Sequence, residues 1–225
     1  MPLLQQITEQ GFAIVPQVLN AAECDALADH AVAGPTASRG TRRLLQLAWC
    51  RTLVGRLRQH PALSGILAPY PVAVQCTYFE KSVARNWLVP LHQDLSIPVA
   101  RRTEDCSLGP WSEKEGVLFV QPPVACLQQL IAVRLHIDAC TVNDGPLRVI
   151  AGTHTLGKLD AQTVAVTRHE QPEQVCTAAQ GSAMLMRPLL LHASSKSTGT
   201  GQRRVLHILF GPSVLPMGLE WQDAV

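Results

Sequence analysis

The spacing of hydrophobic positions changes near residue 70. Before it, apolar residues recur at helical intervals. Asn20 followed by Glu23 has the form of a capping box, and Cys24, Leu27, Ala28 and Ala31 then recur at helical spacing. Residues 52–67 show a similar pattern, broken at Pro61. Between these pieces GFAIV, residues 11–15, reads as a short buried strand. From Val72 onward, short runs rich in Val, Leu, Ile and Thr alternate with Gly, Pro, Asn and Asp. The strands predicted are 72–79, 130–138, 147–150, 163–167, 183–186 and 205–210. Asn143-Asp144-Gly145-Pro146 is a strong turn signal, because glycine supplies a positive φ and proline fixes the next residue. Many short strands behind a helical opening predict a mainly β fold with flanking helices: a double-stranded β-helix, or jelly roll. Residues 1–70 would form helical support and residues 71–215 the jelly-roll core. The polar stretch 100–116 (ARRTEDCSLGPWSEKEG) is too long for an ordinary connection and is expected to form a lid.

Composition narrows the class. A chain of 225 residues can fill one core, so a single domain is expected. A formal net charge of +2, evenly spread, argues against nucleic acid or an anionic membrane as partner. The N-terminus lacks a basic segment followed by a continuous apolar one, and no run reaches the roughly 18 apolar residues that span a bilayer. Seven scattered cysteines with no CxxC pair indicate reduced thiols in a cytoplasmic protein, rather than a disulfide framework or zinc cluster.

The candidate chemistry lies in the histidines. His92-Gln93-Asp94 places an imidazole and a carboxylate two residues apart, on the same face of a strand. With one distant histidine they would make a two-His, one-carboxylate site with open positions, which suits Fe(II) chemistry. His136-Ile137-Asp138 offers the same spacing, and spacing alone does not choose between them. His192, which ends the apolar run 184–191, supplies the distal ligand in either case. Arg203, eleven residues on, could clamp a carboxylate in bidentate fashion. Arg204 is its rival, and on a strand only one of the two can face inward.

YFEKS, NWLVPLHQD, NDGPLRVIAGTHTLG and PLLLHASSKSTGTGQRRVLHILF, in that order, resemble the phytanoyl-CoA dioxygenase family of Fe(II)/2-oxoglutarate oxygenases. The opening QGFAIVPQVLNAAECDAL is similar too, so the resemblance covers nearly the whole chain. It implies His92, Asp94 and His192 as iron ligands and makes His136 and Asp138 a core or supporting pair. It matches Arg203 to the arginine that holds 2-oxoglutarate, and by the same carry-over Ser194, Lys81, Arg134 and, more weakly, Thr77 could touch that co-substrate. Gln75 is similar to a substrate-contacting position of the ectoine-hydroxylase branch. Two departures stand out: Ala151 replaces the proline of the family's PGSH turn, and Arg134 stands where an aromatic residue is common.

The resemblance implies a dioxygenase that uses Fe(II), 2-oxoglutarate and O₂ to hydroxylate an unactivated C–H bond of a small molecule, releasing succinate and CO₂. The residues leave the substrate open. Arg85, Arg101 and Arg102 could favour an anion, and Trp87 and Trp111 could equally form an apolar wall. A cupin-like protein that binds metal and ligand without oxidation is the alternative, and an interaction module with structural histidines a more distant one.

Overall fold

The computed structural model describes residues 1–30 and 43–225, together with the backbone of 31 and 32. In chain order the elements are α1 (Leu3–Gln10), β1 (Phe12–Val15), α2 (Ala21–Val32), α3 (Ala48–Gln59), α4 (Ser64–Leu67), β2 (Val72–Lys81), β3 (Val89–His92), β4 (Ile97–Val99), β5 (Trp111–Lys114), β6 (Val117–Val120), α5 (Val124–Leu127), β7 (Ile131–His136), β8 (Leu147–Ile150), α6 (Ala161–Glu170), β9 (Gln174–Cys176), β10 (Ala183–Met186), β11 (Leu191–Ser194) and β12 (Arg203–Gly211). No helix among the described residues is long and apolar enough to cross a membrane.

The strands form a jelly roll of antiparallel sheets. A five-stranded sheet runs β1-β10-β7-β12-β2, a four-stranded sheet β3-β11-β8-β9, and a three-stranded flap β4-β6-β5. Strand alternation splits the side chains of the large sheet between two environments. Ile131, Val133 and Leu135 of β7, with Leu206, Ile208 and Phe210 of β12, pack on Leu27, Leu53, Leu57 and Leu67 of the helices. Ala132, Met184, Met186 and Leu209 face the other way, toward Val149 of the second sheet and Ile97, Val99 and Val120 of the flap. Both chain ends enter this framework: β1 pairs with β10, and Val225 exchanges backbone hydrogen bonds with Ala73 (2.8 and 3.0 Å).

The capping box forms as read. Glu23 N donates to Asn20 Oδ1 (3.0 Å), and Asn20 N donates to Glu23 Oε2 (2.8 Å). Two expectations are overturned. Residues 163–167, predicted as a strand, lie inside α6. Asp160 caps that helix by accepting from Thr163 N (2.7 Å), and the local cap overrides the strand preference of a β-branched run. The segment 100–116 is not one long lid. Its last part is β5, joined to β6 by Glu115-Gly116, both at positive φ (55° and 71°), a two-residue turn whose twist matches a hairpin. The remainder is tied down by Ala100 N donating to Glu220 O (2.9 Å) and Gly109 N donating to Gln121 O (3.1 Å).

Candidate metal centre and its cavity

β11 pairs antiparallel with β3 so that His192 lies opposite His92. Their rings meet at 4.2 Å between centroids. Asp94 follows directly after β3, its N–H donating to Pro188 O (2.9 Å), and its two carboxylate oxygens each lie 3.7 Å from one Nε2, His92 on one side and His192 on the other. The three donor atoms are within 4.8 Å of one another, and no other group of three or more such residues is found among the described residues.

Tautomers make the donor set usable. His92 Nδ1 lies 2.8 Å from Pro90 O and His192 Nδ1 2.9 Å from Leu190 O. A carbonyl can only accept, so each Nδ1 carries a hydrogen and each Nε2 is the atom facing Asp94, able to offer its lone pair to a metal when the ring is neutral. Burial opposes ionisation of Asp94, but in the metal-free site the charge of His192 and a hydrogen bond from His92 hold its carboxyl well below the usual carboxylate range. Two neutral imidazoles and one carboxylate fit a divalent transition metal with sites to spare.

Gln93, between the two β3-side donors, pins them. Its amide donates to Gly157 O and Leu189 O (both 2.7 Å) and accepts from Leu159 N (2.9 Å). Sequence reasoning missed this role; a glutamine between two ligand-type residues, flanked by apolar strands, was the available sign.

The donors open on a cavity of about 420 Å³, whose walls include Gln75, Thr77, Arg134, Ser194 and Arg203. Behind Ser194 of the wall at one end, Lys81, only 1% exposed, donates to Ser194 Oγ (2.8 Å) and to Ser195 O. Burial and the charges of Arg203 and Arg134 push its ammonium down to about 7. The predicted turn closes this end: Gly145 has φ 61°, and a Cβ there would lie 2.5 Å from Ser195 O and 3.1 Å from Lys81 Nζ. Arg203, 2% exposed, has no hydrogen-bond partner for Nε or Nη1. Buried polar atoms are rarely left so, and a guanidinium with unsatisfied donors at a cavity wall suits an anion.

The rival residues are used elsewhere. Arg204, facing away from Arg203, donates to Asp138 from Nε (2.9 Å), Nη2 (2.7 Å) and the backbone N (2.8 Å). His136, buried beside Arg134 and Arg203, is pushed down to about 3 and does not reach the cavity. The second HxD therefore braces β7 against β12. Arg85 pairs with Glu80 (3.2 Å), Arg101 pairs with Glu220 (2.7 Å), and Arg102 lies over the Trp111 ring (5.4 Å). None of these three arginines lines the cavity, nor does Trp111, whereas Trp87 does. Of the expected lid only Lys114 contributes to the wall.

His207 was not anticipated. It stands opposite Thr77 and Arg134 in the sheet, lines the cavity, and is pushed down to about 4, mainly by burial. Its strand parity is that of Arg203, four residues earlier, so an inward Arg203 carries His207 inward as well.

A family-wide sequence profile described as Phytanoyl-CoA dioxygenase (PhyH) matches residues 7–205. The chain belongs to the phytanoyl-CoA dioxygenase family. Enzymes of this family are non-haem iron, 2-oxoglutarate-dependent, so iron is the cofactor and 2-oxoglutarate and O₂ are co-substrates. No curated protein matches the sequence. Among solved structures, the epimerase SnoN in complex with Fe³⁺, α-ketoglutarate and nogalamycin RO is similar at 16% identity and TM-score 0.70, covering 99% of this chain and 88% of that one. HygX from Streptomyces hygroscopicus with nickel and 2-oxoglutarate bound is similar at 16% identity and TM-score 0.64, covering 95% and 87%. EctD from S. alaskensis in its apoform follows at 14% identity and TM-score 0.67, covering 92% and 75%. At such identities the likeness concerns the fold.

Proposed function

We propose that the whole chain works as one oxygenase domain that hydroxylates a C–H bond of a small molecule, with His92, Asp94 and His192 holding Fe(II). The observation that carries this reading is the presence, in one cavity, of the three-donor set and the unpartnered face of buried Arg203. When bound, iron with 2-oxoglutarate supplies O₂ activation and oxidising power, with succinate and CO₂ as by-products. The protein's own part is positional. Pro90 O and Leu190 O hold both imidazoles with Nε2 turned to the metal position, and Gln93 fixes the backbone between His92 and Asp94. Arg203 would clamp the distal carboxylate of 2-oxoglutarate, with Lys81 and Ser194 as further donors beside it. Thr77 already accepts from Gln75 Nε2 (2.8 Å), which leaves its hydroxyl hydrogen and the Gln75 carbonyl for the organic ligand. Leu127, Leu130 and Leu209 give the cavity a dry wall where water would otherwise quench the oxidant.

The test combines anaerobic titration with a substrate screen. Adding Fe(II) and 2-oxoglutarate should produce a visible charge-transfer band, absent in Asp94→Ala. A metabolite library should then reveal compounds that stimulate succinate release, with the product heavier by one oxygen atom. Metal binding without the band would instead favour the cupin-like ligand binder. A coupled product lacking the added oxygen would replace hydroxylation by another oxidation on the same centre.

A further inference from the structure

Arg134 is 5% exposed, lines the cavity and leaves Nε without a hydrogen-bond partner. No carboxylate pairs with it among the described residues; its guanidinium rests over the Phe79 ring at 5.7 Å. That contact offsets only part of the cost of burying a charge. Asp94 is the one acidic residue in the cavity wall, and it stands between two imidazoles.

The remaining charges are supplied by the reading above, on which this inference rests. A dicarboxylate co-substrate with one carboxylate at the metal position and the other at Arg203, Lys81 and Ser194 has none left for Arg134. Fe(II), Asp94 and 2-oxoglutarate together with the two guanidiniums leave the occupied cavity with an excess positive charge, even with Lys81 neutral. We infer that the substrate is a small anion, a carboxylate or phosphate ester, whose charged group is received by the Arg134 guanidinium. His207, the Cα partner of Arg134 on β12, adds an uncharged neighbour whose Nδ1 is also buried and unpartnered. The flanking Phe79, Trp87 and Leu209 receive the carbon skeleton. The cavity of about 420 Å³ must also take the co-substrate, so the part of the substrate inside it is small. Arg85 and Arg101, satisfied by Glu80 and Glu220 and outside the cavity wall, play no part in this selection.

The experiment uses the full chain loaded with redox-inert Zn(II) and saturated with 2-oxoglutarate. Matched probe pairs, hexanoate with hexanamide and 3-phenylpropionate with 3-phenylpropanamide, are followed by ligand-observed saturation-transfer NMR. The 2-oxoglutarate affinity is measured separately by calorimetry. The acids should bind at least about tenfold more tightly than their amides. Arg134→Gln should abolish that preference and Arg134→Lys should retain part of it, with the 2-oxoglutarate Kd changing less than about threefold in both. Equal binding of acid and amide to the unmodified protein, or no binding of either, overturns the inference and needs no variant. A tenfold loss of 2-oxoglutarate affinity in Arg134→Gln with the acid preference intact overturns it too, and makes Arg134 a co-substrate contact. Failure of the unmodified protein to bind 2-oxoglutarate at all would instead bring down the parent reading.

Discussion

The two faces of the five-stranded sheet are made by the same strands and have opposite tasks. On β7, Ile131, Val133 and Leu135 face the helices, while Arg134 faces the cavity. On β12, Leu206, Ile208 and Phe210 face the helices, while Arg203 and His207 face the cavity. The helix side is a packed apolar layer. The cavity side buries guanidiniums and an imidazole with few hydrogen-bond partners and, next to them, the ammonium of Lys81. Such groups destabilise an empty site and become favourable only when an anion or metal arrives. Stability and function are thus separated by strand parity, at the scale of adjacent residues.

That separation can be attacked from either face. Asp94→Ala should lower succinate formation by more than about a hundredfold, since a ligand is lost rather than a supporting contact. Melting of the metal-free protein should fall only modestly, as the two imidazoles lose their carboxylate partner; equal losses of fold and activity would break the division. Phe210→Ala on the opposite face should cost about 3–5 kcal/mol in denaturant unfolding, by transfer and cavity terms together. Iron and 2-oxoglutarate stoichiometry per folded molecule should be retained. Arg203→Ala removes charge-assisted hydrogen bonds of about 1.5–3 kcal/mol, so the 2-oxoglutarate Kd should rise roughly ten- to a hundredfold by calorimetry with metal binding intact.

Lys81 sharpens the comparison through pH. Its folded-state pKa of about 7 lies below the ordinary 10.5, so across that window the unfolded chain holds the proton more tightly and stability rises with pH. The cost of the buried ammonium is complete below about pH 7. Lys81→Met should therefore stabilise the ligand-free protein most at the acid end of that window and least at its alkaline end, read as the difference in Tm between variant and parent. The smallest effect is expected at Asp138. Asp138→Asn loses a half-buried pair with Arg204 and should cost about 1 kcal/mol, with iron affinity unchanged. A loss of iron binding there would mean that the second HxD takes part in the metal site.

Much of the cavity was legible from local pattern. Residue type and spacing marked the histidines and an arginine pair, whereas Gln75, Thr77 and Lys81 came from the family resemblance; their shared parity along residues 75–81 agrees with it. The misread segments failed for local reasons of another kind. α6 hid because Asp160 caps a run whose side chains favour strands, and β5 hid because its polar face lies exposed in a flap hairpin. His207 and Gln93 were overlooked because neither has a motif; each matters through what stands opposite it.

The sequence by itself determined the helical opening, the jelly-roll class, the family, and a short set of residue types able to hold metal and anion. Periodicity, turn chemistry and motif order are properties of neighbouring residues and survive in one dimension. Spacing left rivals among those residues and the resemblance ranked them, but only the tertiary structure supplies their positions. It brought His92 opposite His192, turned Arg203 inward and tied Arg204 to Asp138. It also left Arg134 in the cavity wall without a carboxylate. Strand register is the reason, because a one-residue slip exchanges every inward side chain for an outward one, and register is set by pairing between segments far apart in the chain.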